Sequence, residues 1–246
     1  MNLEKYQQYS RIARGLEKAD LVLKDARIVN VFTEEIIRGD IAIQDGIIAG
    51  IGSFHGKEER DLAGRYVCPG FIDSHLHLES TLVTPAELVT AASRHGTTTF
   101  IVDPHEAANV SGLAGIDYIL DQTEDVKANV YVMMPSCVPA TAIDDNGCTL
   151  TAEDMVPYLH NSRILGLGEV MDSISVVQGE KSMHDKLELF EGRIRDGHAP
   201  FLEEGDLQAY AMAGIATDHE CSFFDYAMRE RRDGVTILVR EGNAAP

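Results

Sequence analysis

Short apolar segments alternate with longer amphipathic segments from Cys68 to the end of the sequence, and this rhythm limits the fold more than any other feature. It predicts βα units around a parallel sheet, and so an α/β fold. Seven strands are predicted, near residues 67–74, 98–103, 129–135, 164–168, 197–200, 215–218 and 235–240. Helices are predicted between them, near residues 84–95, 110–121, 151–161, 182–195, 205–213 and 222–232.

The region before Cys68 has a different pattern. Apolar residues recur at roughly helical spacing near the start, which predicts an N-terminal helix within residues 1–18. Residues 19–67 contain short alternating runs, with Asp45-Gly46 as a hairpin turn. We therefore predict a small antiparallel β-domain over 19–67, similar to a β-sandwich but incomplete, and a β/α barrel domain over 68–246.

The choice between a barrel and an open sheet depends on the loops that follow the strands. An open sheet that binds a nucleotide usually has a glycine-rich loop after its first strand, whereas this loop reads Asp73-Ser-His-Leu-His-Leu-Glu-Ser80. A barrel concentrates its chemistry at the C-terminal ends of the strands, which is where the titratable residues occur here. The loops therefore favour a TIM-like (β/α) barrel.

Composition narrows the choice of partners. The chain has 40 Asp and Glu against 21 Lys and Arg, a formal net charge of −19 that disfavours nucleic acid and anionic membranes. The sequence contains neither a signal-peptide pattern nor the roughly 18 uninterrupted apolar residues of a membrane span. Its four widely spaced cysteines fit reduced thiols in the cytoplasm. We expect a cytoplasmic protein with no nucleic-acid or membrane partner.

Residues that commonly bind metals follow one predicted strand after another. His75 and His77 are two apart at the end of the first strand of the series, so both imidazoles face the same side and suit a divalent metal. Further candidates end later strands: Asp103, His105 and Glu106 after the second, Glu169 after the fourth, His198 after the fifth, and His219 and Glu220 after the sixth.

Two metals held by His75, His77, Glu169, His198 and His219 would need a bridging ligand, which the two oxygens of Glu169 could supply. Water shared between the ions would lose a proton near neutral pH and become a hydroxide nucleophile. The ordinary alternative for Glu169 is a buried carboxylate paired with Arg or Lys.

Several runs in the sequence resemble a known family. Pro69-Gly-Phe-Ile-Asp-Ser-His-Leu-His-Leu-Glu-Ser80 resembles the first-strand signature of the metal-dependent amidohydrolase superfamily, and its Glu79-Ser80 ending is similar to the adenine deaminase branch. Further motifs follow in that branch's order: Gly96-Thr-Thr-Thr, Asp103-Pro-His-Glu106, Ser136-Cys-Val-Pro-Ala-Thr141, Gly166-Leu-Gly-Glu-Val-Met171, Asp196-Gly-His-Ala-Pro200, Thr217-Asp-His-Glu220 and Arg240-Glu-Gly242.

The resemblance implies hydrolysis of adenine to hypoxanthine and ammonia, in purine salvage, through a metal-bound hydroxide. It implies two divalent ions, Mn²⁺ or Fe²⁺, with Zn²⁺ as an alternative. The implied metal ligands are His75, His77, His198, His219 and the bridging Glu169, with Asp103, His105 and Glu106 as an additional cluster. The implied catalytic residues are Glu169, His219 and Glu220. Glu79 and Ser136, together with Glu220, are candidates for contacting the purine base.

The sequence also departs from the resemblance, because it stops just after the seventh predicted strand. In the superfamily the eighth strand ends in an Asp that binds metal and shuttles a proton. We therefore expect a truncated barrel with poor or no turnover, and open sheet edges that favour a homo-oligomer. Two alternatives stay open: another cyclic amide or amine hydrolase of the superfamily, such as a dihydroorotase-like enzyme, and a noncatalytic metal-binding remnant that associates with a partner.

Overall fold

The computed structural model describes residues 1–141 and 143–240, and the chain divides into two units, Met1–Pro69 and Gly70–Pro246. Glu241 and Gly242, which end the last predicted motif, lie outside the described residues. Within the described ranges, no helix has both the length and the apolar character that crossing a membrane requires.

The first unit begins with helix α1 (Leu3–Ala13). The Asn2 side chain accepts a hydrogen bond from the Lys5 amide and so caps the first turn. The helix predicted within residues 1–18 ends earlier than its apolar spacing suggested, because Gly15 adopts a left-handed conformation with φ +71° and turns the chain.

Five strands form one mixed sheet in this unit: β1 (Ala19–Asn30), β2 (Glu35–Gln44), β3 (Ile47–Gly52), β4 (Gly56–Asp61) and β5 (Tyr66–Val67). The predicted Asp45-Gly46 turn is confirmed, with φ of 50° and 74°, and β1, β2 and β3 pair antiparallel. However, β4 and β5 pair parallel to β1. The prediction of an antiparallel domain is therefore wrong for these two strands, because alternation indicates a strand but not the direction of its neighbour. A second sandwich layer stays a prediction.

A buried carboxylate anchors this sheet. Asp40 accepts hydrogen bonds from the Lys24 ammonium and from the backbone amides of Asp25 and Phe54. Burial alone would raise the pKa of Asp40, but the Lys24 bond and the two amides outweigh it and lower the pKa. The ionised carboxylate therefore contributes to the stability of this unit.

The second unit contains a curled sheet of seven parallel strands, each paired with its sequence neighbours. The strands are β6 (Phe71–Leu76), β7 (Thr97–Val102), β8 (Asn129–Met134), β9 (Ile164–Val170), β10 (Ile194–Gly197), β11 (Thr217–Asp218) and β12 (Thr236–Ile237). This confirms the predicted α/β fold with a parallel sheet. Because all seven strands are parallel, their carboxyl ends lie at one edge of the sheet.

Helices connect successive strands in the second unit. They are α2 (Pro85–Ser93), α3 (His105–Ser111), α4 (Leu113–Gln122), α5 (Ala152–Met155), α6 (Ser173–Gln178), α7 (Lys181–Leu189), α8 (Glu204–Met212) and α9 (Phe224–Arg232), with 3-10 turns at Glu79–Thr81 and Val156–His160. The helix predicted over 110–121 is instead divided between α3 and α4, because Gly112 has φ +62° and interrupts the helical hydrogen bonds.

The fifth strand of this series is displaced from its predicted position. It occupies Ile194–Gly197, whereas 197–200 was predicted, and the preceding helix ends at Leu189 although residues 182–195 were predicted helical. Gly192 has φ +77°, so the chain turns there and enters the sheet early. His198 consequently follows the strand and does not lie within it.

The main core lies between this sheet and its helices. Phe100, Met134 and Leu167 of the strands pack in one cluster with Ile116 of α4 and Leu187 of α7. Each of these side chains is almost fully buried, which stabilises the unit by roughly 1.5–3 kcal/mol per side chain. The core therefore holds the carboxyl edge of the sheet as a rigid support for the loops that follow each strand.

Candidate functional site

Two histidines at the end of β6 form the first wall of the site. His75 and His77 project on the same side, and their Nε2 atoms are 3.2 Å apart. The Nδ1 atom of His75 lies 3.0 Å from Asp196 Oδ2, and that of His77 lies 2.8 Å from the Asp103 carbonyl oxygen. Because Asp196 and the Asp103 carbonyl oxygen occupy the two Nδ1 atoms, the Nε2 atoms of both rings remain available, and they face the same point.

The Glu169 carboxylate lies at that point. Its residue is 3% exposed, and its two oxygens face different imidazoles. Oε1 is 2.9 Å from His75 Nε2, 3.3 Å from His77 Nε2, 2.8 Å from His219 Nε2 and 3.8 Å from His198 Nδ1. Oε2 is 3.2 Å from His105 Nδ1. Residues from four other strand ends therefore converge on one carboxylate.

The backbone around Glu169 is fixed by Asp103, at the end of β7. Asp103 Oδ2 accepts a 2.7 Å hydrogen bond from the Glu169 amide. A side chain at position 168 would collide with the same carboxylate, so Gly168 allows this close approach of the Asp103 side chain to β9. Asp103 Oδ1, in turn, lies 3.5 Å from His105 Nδ1.

His198 and His219 complete the cluster from the ends of β10 and β11. The Tyr210 hydroxyl accepts a 3.0 Å hydrogen bond from the His198 amide and donates to the Val170 carbonyl, which fixes the chain at that point. The His219 ring stacks on the His75 ring, with centroids 3.7 Å apart. The side chain of His219 is only 1% exposed.

The electrostatics of the cluster are dominated by its carboxylates. Burial alone would lower the pKa of His75, but Asp196 and Glu169 outweigh burial and raise it to about 10. For His77, Glu169 likewise outweighs burial and raises the pKa to about 9. Burial would raise the pKa of Glu169, but the surrounding imidazoles hold it far below its usual range. The central carboxylate is therefore ionised, and it stabilises positive charge around it.

The other predicted site residues lie around this cluster. Glu220 Oε1 is 3.6 Å from His219 Nε2 and pairs with the Arg240 guanidinium. The Glu79 carboxylate accepts hydrogen bonds from the amides of Glu106 and Ala107 at the start of α3. Burial raises the pKa of Glu79.

Two predicted residues point elsewhere. The Ser136 hydroxyl is buried and donates a 2.6 Å hydrogen bond to the Glu169 carbonyl oxygen. The exposed Glu106 accepts a hydrogen bond from the Ser80 hydroxyl. Among the described residues, Glu106 belongs to none of the groups whose ligand atoms are close enough to share a metal.

Sequence reasoning gave no role to Asp196 or Tyr210. Asp196 bonds His75 and also accepts a hydrogen bond from the Thr217 hydroxyl. It precedes His198 by two residues. Residues two apart in a strand face the same side, so the reasoning that paired His75 with His77 could also have predicted Asp196 as a site residue. Tyr210 lies on α8, and nothing in its sequence context indicated a contact with the chain at His198.

The donor set fits divalent cations. Four overlapping triplets have ligand atoms within 4.8 Å of one another: His75-Asp196-His219, His75-His77-Glu169, Glu169-His198-His219 and Asp103-His105-Glu169. Among the described residues, several of these atoms are buried and make no well-aligned hydrogen bond despite their close contacts, namely both His219 nitrogens, Nδ1 of His105 and His198, and Asp103 Oδ1. Buried polar atoms are rarely left unpaired, and imidazoles with carboxylates suit Zn²⁺, Fe²⁺ and Mn²⁺.

Comparison with known proteins gives one family. Residues 66–242 match the amidohydrolase family. The chain is 56% identical over 245 residues to an adenine deaminase of Desulfitobacterium hafniense (strain Y51), which covers 100% of this chain and 43% of that protein. It is 48% identical over 235 residues to an adenine deaminase of Clostridium acetobutylicum, covering 95% of this chain and 41% of that protein. The chain thus spans less than half the length of these relatives.

A solved structure shares the fold. The N-acyl-D-glutamate deacylase from Bordetella bronchiseptica, complexed with zinc and a phosphonate inhibitor, superposes with a TM-score of 0.57 at 19% identity. The match covers 90% of this chain and 58% of that one. At this identity the likeness concerns the fold alone.

Proposed function

The chain belongs to the amidohydrolase family, and from this we propose that the protein carrying it hydrolyses adenine to hypoxanthine and ammonia in purine salvage. One observation carries the proposal: the buried Glu169 carboxylate lies among imidazoles from several strand ends. The adenine deaminases that match 100% and 95% of the chain support the choice of substrate.

Two divalent cations, Mn²⁺ or Fe²⁺ with Zn²⁺ as the alternative, would lower the pKa of water and so supply the nucleophile near neutral pH. His75 and His77 would hold one ion together with Glu169, and His198 and His219 would hold the other with the same carboxylate. The Nδ1 contacts of His75 and His77 orient their rings for this role.

Proton transfer falls to His219 and Glu220 in this proposal. The departing amine must gain a proton, and Glu220 Oε1 is 3.6 Å from His219 Nε2. The ion pair with Arg240 keeps the Glu220 carboxylate there. A positioned carboxylate or imidazole commonly accelerates such a transfer by about 10²- to 10⁴-fold.

Purine contacts are proposed for Glu79 and Ser136, with Glu220. Glu79 Oε2 is buried and has no hydrogen-bond partner among the described residues, so it is free to accept from an N–H of the base. The Ser136 hydroxyl would have to turn from the Glu169 carbonyl oxygen before it could contact a substrate. We also propose that Asp103 and His105 form an additional metal-binding cluster through Glu169 Oε2, with Glu106 at its margin.

The activity assay compares this chain with a version extended to the length of its relatives, using Mn²⁺ and a panel of adenine, adenosine, guanine, cytosine and dihydroorotate. We expect the extended protein to act on adenine and the 246-residue chain to show poor or no turnover. Glu169→Gln should abolish the activity, whereas Glu188→Gln, an exposed change on α7, should preserve it. Turnover of dihydroorotate in place of adenine would contradict the proposed substrate and favour the alternative cyclic amide hydrolase.

Association of chains in the cytoplasm is a further part of the proposal. The edge strand β6 exposes Phe71 and Ile72, whose apolar side chains favour contact with another copy. Sizing by light scattering checks this point. Metal-free aggregates would favour the noncatalytic remnant, whereas a compact monomer with metal near two per chain would count against the remnant and against the association of chains.

A further inference from the structure

A second group of ligand-type side chains lies between the end of β11 and α9. Asp218, Cys221 and Glu230 each place one ligand atom within 4.8 Å of the other two. The Cys221 Sγ atom is 2.7 Å from Glu230 Oε2 and 3.6 Å from Asp218 Oδ2. None of these three residues belongs to the triplets around Glu169.

The charge of this group is not balanced by nearby cations. Glu230 is 0% exposed and Asp218 is 1% exposed. In the described part of the chain, no Lys, Arg or His nitrogen lies within 4.0 Å of either carboxylate. Glu230 Oε1 is buried and has no hydrogen-bond partner there. Two ionised carboxylates buried without a nearby countercharge are costly, so a proton or a cation must neutralise this group.

We propose that Asp218, Cys221 and Glu230 form a separate Zn²⁺ site. A thiolate combined with two carboxylates suits zinc, which accepts sulfur and oxygen ligands together, whereas Mg²⁺ and Mn²⁺ prefer oxygen ligands. Glu230 Oε2 faces the Cys221 thiol, and in the described part of the chain its buried Oε1 has no hydrogen bond. The proposed site therefore differs in ligand chemistry from the imidazole-rich cluster around Glu169.

The orientation of Asp218 supports the proposal. Its Oδ1 atom accepts a 2.7 Å hydrogen bond from the Ala199 amide, and its Oδ2 atom accepts one of 2.8 Å from the Glu220 amide. Hydrogen bonds of this kind commonly fix a metal-binding carboxylate before the ion arrives. A Zn²⁺ ion here would join α9 to the loop that carries His219 and Glu220, and so hold that loop in place.

The Cys221 thiolate would give this site an absorption that distinguishes it from the cluster around Glu169. Sulfur donates electron density to Co²⁺ readily, so a thiolate ligand adds a strong near-ultraviolet charge-transfer absorption that imidazole and carboxylate ligands do not. We expect Co²⁺ added to the metal-free chain to produce this absorption. Cys221→Ser should remove it and should lower the Zn²⁺ content by about one per chain, while the ions bound around Glu169 remain.

Two controls make the test decisive. Cys148→Ser should leave the absorption unchanged, because Cys148 belongs to no candidate metal group of the described residues. Glu230→Gln keeps the shape of the side chain and removes its charge, so it should weaken the absorption strongly even where Cys221→Ser fails to fold by circular dichroism. Absence of the absorption in the unmodified chain, or its persistence in both Cys221→Ser and Glu230→Gln, would overturn the site and leave a proton as the neutralising group.

Discussion

Replacing Asp196 by asparagine tests whether the imidazoles at the end of β6 are oriented as metal ligands. Asp196 Oδ2 is 3.0 Å from His75 Nδ1, and the residue is 4% exposed, so water cannot readily replace this contact. Asparagine keeps the size of the side chain but removes the charge that fixes the tautomer of His75. Loss of such an outer carboxylate typically weakens metal binding by about 10- to 100-fold, or roughly 1.4–2.7 kcal/mol.

The assay is competition for Mn²⁺ or Zn²⁺ against a chromophoric chelator, with the unmodified chain measured in parallel. Asp185→Asn provides the matched control, because Asp185 pairs with Lys181 on the surface of α7 and should leave the affinity unchanged. Thermal unfolding of the metal-free proteins checks that both variants fold. An Asp196→Asn variant that folds and binds metal as tightly as the unmodified chain would refute the role given to this contact.

Three further substitutions test other parts of the structure. Glu169→Gln should abolish stoichiometric Mn²⁺ binding, measured as Mn²⁺ content after dialysis, because it removes the one charge shared by the cluster around Glu169. Tyr210→Phe leaves the His198 amide without its acceptor. The free energy of unfolding, measured in urea, should therefore fall by about 1–3 kcal/mol, and a chelator titration should show weaker metal binding. Asp40→Asn should lower the denaturation midpoint of the first unit at pH 7. Because pairing with Lys24 lowers the pKa of Asp40 below 3.8, this difference is present above that pH and should vanish as the pH falls through the folded pKa.

Strand positions could be predicted from the sequence far better than strand partners. The seven parallel strands follow from apolar runs separated by helical ones, and they were found in the predicted order. In the first unit, the same reasoning missed the parallel pairing of β4 and β5 with β1. Periodicity reports the environment of each side chain, whereas pairing depends on how the chain crosses the sheet. The early turns at Gly112 and Gly192 were missed because a glycine within an apolar pattern is compatible with a continuing helix.

The candidate site likewise contains residues that the sequence predicts and supporting contacts that it does not. The histidines and acids at strand ends could be chosen because a parallel sheet brings its carboxyl ends to one edge, whatever their separation in sequence. The supporting contacts could not be chosen in this way. Whether Asp196 or Asp218 faces His75 depends on the stagger between β10 and β11, and the contact of Tyr210 with the His198 amide depends on the packing of α8. Such contacts depend on tertiary geometry that the motifs do not encode.

The two oxygens of Glu169 explain why this residue, more than any histidine, determines the site. Oε1 faces the imidazoles of His75, His77, His198 and His219, whereas Oε2 faces His105 on the side of Asp103. An imidazole has one free nitrogen once its other nitrogen is held, so it can serve only one of these groups. A carboxylate can serve two groups and also carries the charge that imidazoles and cations both need. The fold supports that dual role by holding the Glu169 backbone with Asp103, the residue that also adjoins His105.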